Sequence, residues 1–96
     1  MINLKQLHSI TGLRVCCVSH GKIVDSYLLT NEEINKINNL GSLINSLPEN
    51  FVIGIIETNE KERFCIIKAK ECFFISPIET ENIGEVYKKI ANLGGI

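Results

Sequence analysis

The sequence predicts an α+β fold: a five-stranded antiparallel sheet with helices on both faces, in the order αββαβββα. Three observations carry this expectation. The run Phe51-Val52-Ile53-Gly54-Ile55-Ile56 has no polar side chain and no two-residue alternation. Strand side chains alternate between sheet faces, so a strand of this kind needs cover on both. Val15-Cys16-Cys17-Val18 and Cys72-Phe73-Phe74-Ile75 read the same way, and three segments with helical spacing are available to cover them. Short connections between successive strands favour antiparallel neighbours, because parallel ones need long crossovers.

The first element is a short helix from Asn3 to Ile10, with Leu4, Leu7 and Ile10 at helical spacing. Asn3 is its cap with Gln6 reaching back, and Gly12 ends it. A strand follows from Leu13 to Ser19, then a tight turn at His20-Gly21 and a second strand from Lys22 to Leu29, together a hairpin. Thr30-Asn31-Glu32-Glu33 is a capping box opening a helix that runs to Leu47 and stops before Pro48. Its apolar positions Ile34, Ile37, Leu40, Leu43, Ile44 and Leu47 spread over roughly half the circumference, wider than the ~100° stripe that packing on one sheet uses. That excess points to a second surface beyond the domain's own sheet.

Three strands in a meander come next: Phe51 to Thr58, Arg63 to Ala69 and Cys72 to Ser76, joined at Asn59-Glu60-Lys61-Glu62 and Lys70-Glu71. A last helix spans Thr80 to Leu93, with Ile83, Val86, Tyr87, Ile90 and Leu93 as its stripe and Gly94-Gly95 as terminator. Ubiquitin-like carriers end in a flexible Gly-Gly tail, but here the pair abuts a helix and Ile96 follows, so the reading is a helix cap.

Length and charge narrow the function classes. The 96 residues predict one domain, 1–96, burying about 60–65% of its extended-chain surface, so a partner would add to a slim stability margin. The net charge is −1 and no Lys/Arg block is present, which disfavours nucleic acid and anionic membranes as partners. No apolar run approaches the roughly 20 residues of a membrane span. The N-terminal Ile2, Leu4, Leu7 and Ile10 alternate with polar residues, unlike a signal peptide, so the expected location is the cytoplasm.

Candidate chemistry is sparse. Cys16, Cys17, Cys65 and Cys72 lie in or beside apolar stretches and read as buried thiols that pack as small hydrophobes. No C-x-x-C occurs, and adjacent Cys16 and Cys17 on a strand point to opposite faces, which defeats shared chelation. His8 and His20 read as surface histidines, with no ligand-spaced partners. Ser19-His20-Gly21-Lys22 lacks the glycine and spacing of a phosphate loop. Asp25 and Glu57 read as solvent-facing strand-end residues rather than an acid pair. The chain is therefore expected to be no enzyme and to need no cofactor.

Several stretches together resemble the roadblock, dynein light chain-type domain, a fold shared with longin and profilin-like relatives. They are Ile10-Thr11-Gly12-Leu13-Arg14 leading into the first strand, the His20-Gly21-Lys22-Ile23-Val24-Asp25-Ser26 hairpin, the three-strand meander, and Asn82-Ile83-Gly84-Glu85-Val86 before the last helix. The resemblance covers nearly the whole chain, with a shorter first helix and with His20 where the family often has an acidic residue. It implies a sheet with the third strand at an edge, the middle helix on one face and the terminal helices on the other. It further implies a homodimer made by pairing those edges, Phe51, Val52, Ile53, Gly54, Ile55 and Ile56, into a ten-stranded sheet while the middle helices pack through Leu40, Leu43 and Leu47. The implied function is a non-catalytic regulator or scaffold of a small Ras-like GTPase.

The docking surface for that GTPase is expected on Asn35, Asn38, Ser42 and Asn45, part of a polar helix face, with Asn31 and Asn39, that carries few charges. An uncharged polar face loses its water at lower cost than a charged one. The alternative is a small-molecule or thiol/metal sensor domain built on the same fold and using Cys65 and Cys72.

Overall fold

Caps, turns and apolar runs place nine elements among the described residues. The computed structural model describes residues 3–94 and contains α1 (Leu4–Thr11), β1 (Val15–Ser19), β2 (Lys22–Tyr27), α2 (Asn31–Asn39), α3 (Gly41–Asn45), β3 (Ile53–Glu57), β4 (Arg63–Lys68), β5 (Phe73–Ile78) and α4 (Ile83–Asn92). The strands form one antiparallel sheet in the order β2-β1-β5-β4-β3. Alternate strand residues feed two cores. On one face Val15, Cys17, Cys65, Ile67 and Phe74 meet Leu4 and Leu7 of α1 and Val86 and Ile90 of α4. On the other, Cys16, Val18, Phe64, Ile66 and Ile75 meet Ile37 of α2 and Ile44 of α3. The expected α+β layout, with helices on both faces, is the observed one.

Local signals set most element ends. Asn3 caps α1 by accepting the Lys5 N–H at 2.8 Å, and Gly12, at φ 75°, closes it with its N–H on the His8 carbonyl. Ile10, expected in the stripe of this helix, is 39% exposed and outside the core. His20 and Gly21 both take positive φ, 54° and 78°, the two-residue turn whose twist matches the flanking strands. The Thr30 capping box forms in both directions, with Glu33 N–H on the Thr30 hydroxyl and Thr30 N–H on the Glu33 carboxylate. α4 starts three residues later than expected, because Asn82 caps it by accepting the Glu85 N–H. Gly94, at φ 80°, follows its end, while Ile2, Gly95 and Ile96 lie outside the described residues. β5 continues past Ser76 through Pro77, although it is an interior strand. The missing proline N–H is tolerated because β1 pairs with β5 only from Val18–Phe73 to Cys16–Ile75 and has left before Pro77 is reached.

The expected single helix from Thr30 to Leu47 is in fact two. It breaks at Leu40, whose N–H bonds to Ile37 three residues back at 3.0 Å. The next residue, Gly41, is buried with its backbone directly against that of Gly21 in the hairpin turn, where a Cβ would overlap the Gly21 carbonyl oxygen. The broken helix uses most of its wide apolar arc on its own sheet: Ile37 and Ile44 are buried, while Ile34, Leu40 and Leu47 are half-buried. Leu43 alone of the six is exposed, at 47%.

The cysteines also differ from expectation. Cys16 and Cys65 are buried thiols, but Cys17 and Cys72 form a disulfide with Cα atoms 6.1 Å apart. Cys17 pairs with Phe74, and Cys72 precedes Phe74 by two, so the two cysteines are diagonal neighbours on one sheet face. They are separated by 55 positions in the chain. In the chain-entropy model, closing a loop of that length stabilises the folded state by about 4 kcal/mol.

Two outcomes test this account. Gly41→Ala should destabilise the domain by about 1–3 kcal/mol in urea denaturation, despite the higher helix propensity of alanine, because backbone must move to admit the methyl group. Equal or greater stability would show that α3 can slide off the hairpin. The second concerns Glu33, whose Oε1 lies 2.5 Å from Arg14 Nη1. Burial pushes its pKa up, but bonds from the Thr30 N–H and hydroxyl and from Arg14 outweigh this and hold it below the ordinary carboxylate value. A depressed pKa stabilises above the unfolded value, and that contribution disappears as pH falls through the folded one. Wild type should therefore exceed Glu33→Gln in thermal stability at pH 6–7, by no more than about 1 kcal/mol because Arg14 is solvent-exposed. The two melting curves should converge as pH falls through the lowered folded-state pKa of Glu33, and a gap independent of pH would remove the charge from the explanation.

Candidate interaction surface

The outer edge of β3 is regular and apolar. Its register with β4 is unbroken from Ile53–Ile67 to Glu57–Arg63, and it carries no proline and no charge before Glu57. The Val52 carbonyl accepts the Lys68 N–H at 2.9 Å, extending the pairing by one residue. Ile53 packs on the α1/α4 core while Ile55, on the same face, stays 39% exposed, and Val52 is 48% exposed. The Phe51 ring lies over Gly54, where a Cβ would stand 3.2–3.3 Å from that ring, a tight contact that the ring would have to relieve by a small shift. Phe51 and Ile56 are half-buried against the α2/α3 core.

The opposite edge, β2, is built differently. Its register with β1 shifts between Cys17–Asp25 and Val18–Ile23, leaving Val24 as an unpaired bulge residue. Asp25 turns back to accept the Ser26 N–H. A bulge with charged and polar neighbours blunts an edge against further pairing, and β3 has no such device.

Beside the β3 edge, α2 is tied down by ion pairs. Lys36 Nζ lies 2.5 Å from Glu62, 3.1 Å from Glu32 and 3.6 Å from Glu60, linking the helix to the β3–β4 turn. Hydrogen bonds to Glu62 and Glu32 hold the Lys36 ammonium above its ordinary pKa. The expected docking residues Asn35, Asn38, Ser42 and Asn45 are all exposed, two on each side of the helix break. The Asn45 carboxamide lies against Gly21, so this residue also braces the hairpin.

A feature absent from the sequence-based expectations is a cleft of about 650 Å³ at the end of the sheet where β1 and β5 part. Arg14, Glu33, Arg63, Pro77 and Glu79 are among its lining residues. The Arg14 guanidinium is held by Glu33, and Arg63 Nη1 donates to the Glu79 carbonyl at 3.1 Å. Each guanidinium is thus already engaged, Arg14 with a carboxylate of α2 and Arg63 with a backbone carbonyl just after β5. Pro77 was the available signal for this parting of strands.

The other candidates are dispersed. Burial pushes the Cys16 thiol up to about 12 and the Cys65 thiol, helped by Glu81, up to about 11, so both stay protonated at neutral pH. Cys65 pairs with Ser76, whereas Cys72 lies beyond Phe73–Lys68 at the other end of the same strand pair and is bonded to Cys17. The two residues of the sensor reading are therefore not brought together. His8 is a correction: half-buried, it places Nδ1 2.8 Å from the Leu13 carbonyl and its ring against Tyr27, bracing α1 on the sheet. His20 is exposed in its turn, and Asp25 and Glu57 lie on opposite edge strands, both exposed. Among the described residues no group of three or more His, Cys, Asp or Glu is placed to hold a metal ion, and no helix is long and apolar enough to cross a membrane.

No protein-family model matches the chain. A protein of Archaeoglobus fulgidus, named only as an uncharacterized protein, is 34% identical over 87 residues, which is 91% of this chain and 88% of the archaeal one. The match spans both edges of the sheet, the broken helix and the disulfide-bonded strands. At that identity and coverage, this chain belongs to the same family as the Archaeoglobus protein.

Proposed function

We propose that this chain is a non-catalytic, cytoplasmic scaffold that dimerises through its β3 edges and offers the α2–α3 side of the pair to a small Ras-like GTPase. The observation that carries the reading is the unblunted apolar edge of β3 set against the bulged edge of β2. A flat apolar edge left open would recruit other chains indiscriminately, and pairing with a second copy removes it. The resemblance to roadblock-type domains supports the same geometry, with β3 outermost and α2–α3 alone on one face. Antiparallel pairing about a twofold axis would cover Val52 and Ile55 and continue the sheet to ten strands. Leu43, with the exposed parts of Leu40 and Leu47, would add apolar area beside the strand towards the roughly 800 Å² per partner of a stable interface. The uncharged face of Asn35, Asn38, Ser42 and Asn45 then remains outward on both copies, with the adjacent charges of Glu32 and Lys36 already paired.

The dimer is tested at Ile55 rather than Ile53, because Ile53 also supports the α1/α4 core. Wild type should scatter light as a dimer at micromolar concentration, and Ile55→Lys should run as a monomer with unchanged far-ultraviolet circular dichroism. A monomeric wild type would sink the reading. For the GTPase, Asn35→Asp with Asn38→Asp should weaken binding by about tenfold in calorimetry against a Ras-like GTPase of the same host, since a desolvated carboxylate costs more than an amide. The dimer should be unaffected. Wild-type affinity in that variant would move the docking surface elsewhere.

A further inference from the structure

We propose that the Cys17–Cys72 disulfide is a redox-sensitive staple joining the two halves of the sheet. The inference does not depend on dimerisation or on any GTPase. β1 and β2 come from the N-terminal half of the chain, β3, β4 and β5 from the C-terminal half, and within the sheet the halves meet only where β1 pairs with β5. That seam runs from Cys16–Ile75 to Val18–Phe73 and is shorter than every other pairing in the sheet. Beyond Cys16–Ile75 the strands part around the 650 Å³ cleft. The Cys72 end of the bridge lies one residue beyond Val18–Phe73, at the opposite end of the seam from the cleft. The shortest line of backbone bonds in the sheet is thus open at one end and covalently closed near the other. Apolar packing crosses the seam on both faces, so cutting the bridge loosens the halves without separating them.

The chemistry needs a dithiol reductant. One thiolate of the dithiol attacks the sulfur of Cys72, which follows the exposed Lys70-Glu71 tip. The disulfide electron pair leaves on Cys17, which takes up a proton. The second thiol of the reductant then displaces Cys72 from the mixed disulfide. The reductant departs as its cyclic disulfide, and the protein has gained two electrons and two protons. Neither remaining cysteine can take over: Cys16 faces the other core, and Cys65 lies at the far end of β4.

Alkylation of the full-length protein under denaturing conditions should find two free thiols before dithiothreitol treatment and all four cysteines free after it. Hydrogen exchange read by mass spectrometry on the same two forms should accelerate by about tenfold or more in peptides covering 15–19 and 73–78 on reduction. It should stay within about twofold across 53–57. Cys16→Ser with Cys65→Ser should keep this response. Cys17→Ser with Cys72→Ser should exchange like reduced wild type with or without dithiothreitol. Four free thiols after equilibration with an oxidised dithiol would overturn the proposal, as would a bridge whose cleavage leaves exchange at the seam unchanged. Both of these are read on wild type, whatever the variants do.

Discussion

The pairing of β1 with β5 is the constraint on which the rest of the structure depends. It joins residues near position 17 to residues near position 74, and every other strand pairing is between sequence neighbours. Once it forms, α1 and α4 lie on one face and α2 and α3 on the other. A sheet that is apolar on both sides then has cover on both sides, which lets Val15–Val18 and Phe74–Ile75 be apolar without alternation. The cost is that β3, last in order and apolar by the same logic, is left at an edge where only one side of its backbone is paired.

Most of the secondary structure was legible because it is encoded locally. The Thr30–Glu33 capping box, the His20-Gly21 turn and the opposite facing of Cys16 and Cys17 all rest on neighbours within a few residues, and all are present. What was not legible depends on residues far apart. Gly41 looks like an ordinary interruption in a helical pattern until Gly21 is placed against it. Cys72 gives no sign of a partner 55 positions away, and its apolar neighbours argue for a free thiol. The cleft has the same origin, since Pro77 marks a strand departure only once β1 is known to be its neighbour. For the candidate surface, the edge position of β3 followed from the family resemblance rather than from periodicity, and the spare arc on the middle helix shrank to Leu43 because the break at Leu40 could not be foreseen.

The topology also orders the folding problem. The β1–β2 hairpin and the β3–β4–β5 meander are local and can form with short loop closures, whereas the β1–β5 seam must close a loop of more than fifty residues before it gains anything. Until it closes, both halves expose apolar strands, and β5 would itself be an edge.

The backbone contact between Gly21 and Gly41 has a practical consequence for anyone handling this protein. A two-residue turn at a hairpin tip is ordinarily the place to graft a peptide, insert a label or open the chain for circular permutation. Here the tip is the seat of α3, and an insertion would lift that helix and bare Ile44 beneath it. The meander turn at Lys70-Glu71 is exposed on both residues and carries no helix, but Cys72 of the bridge follows it directly.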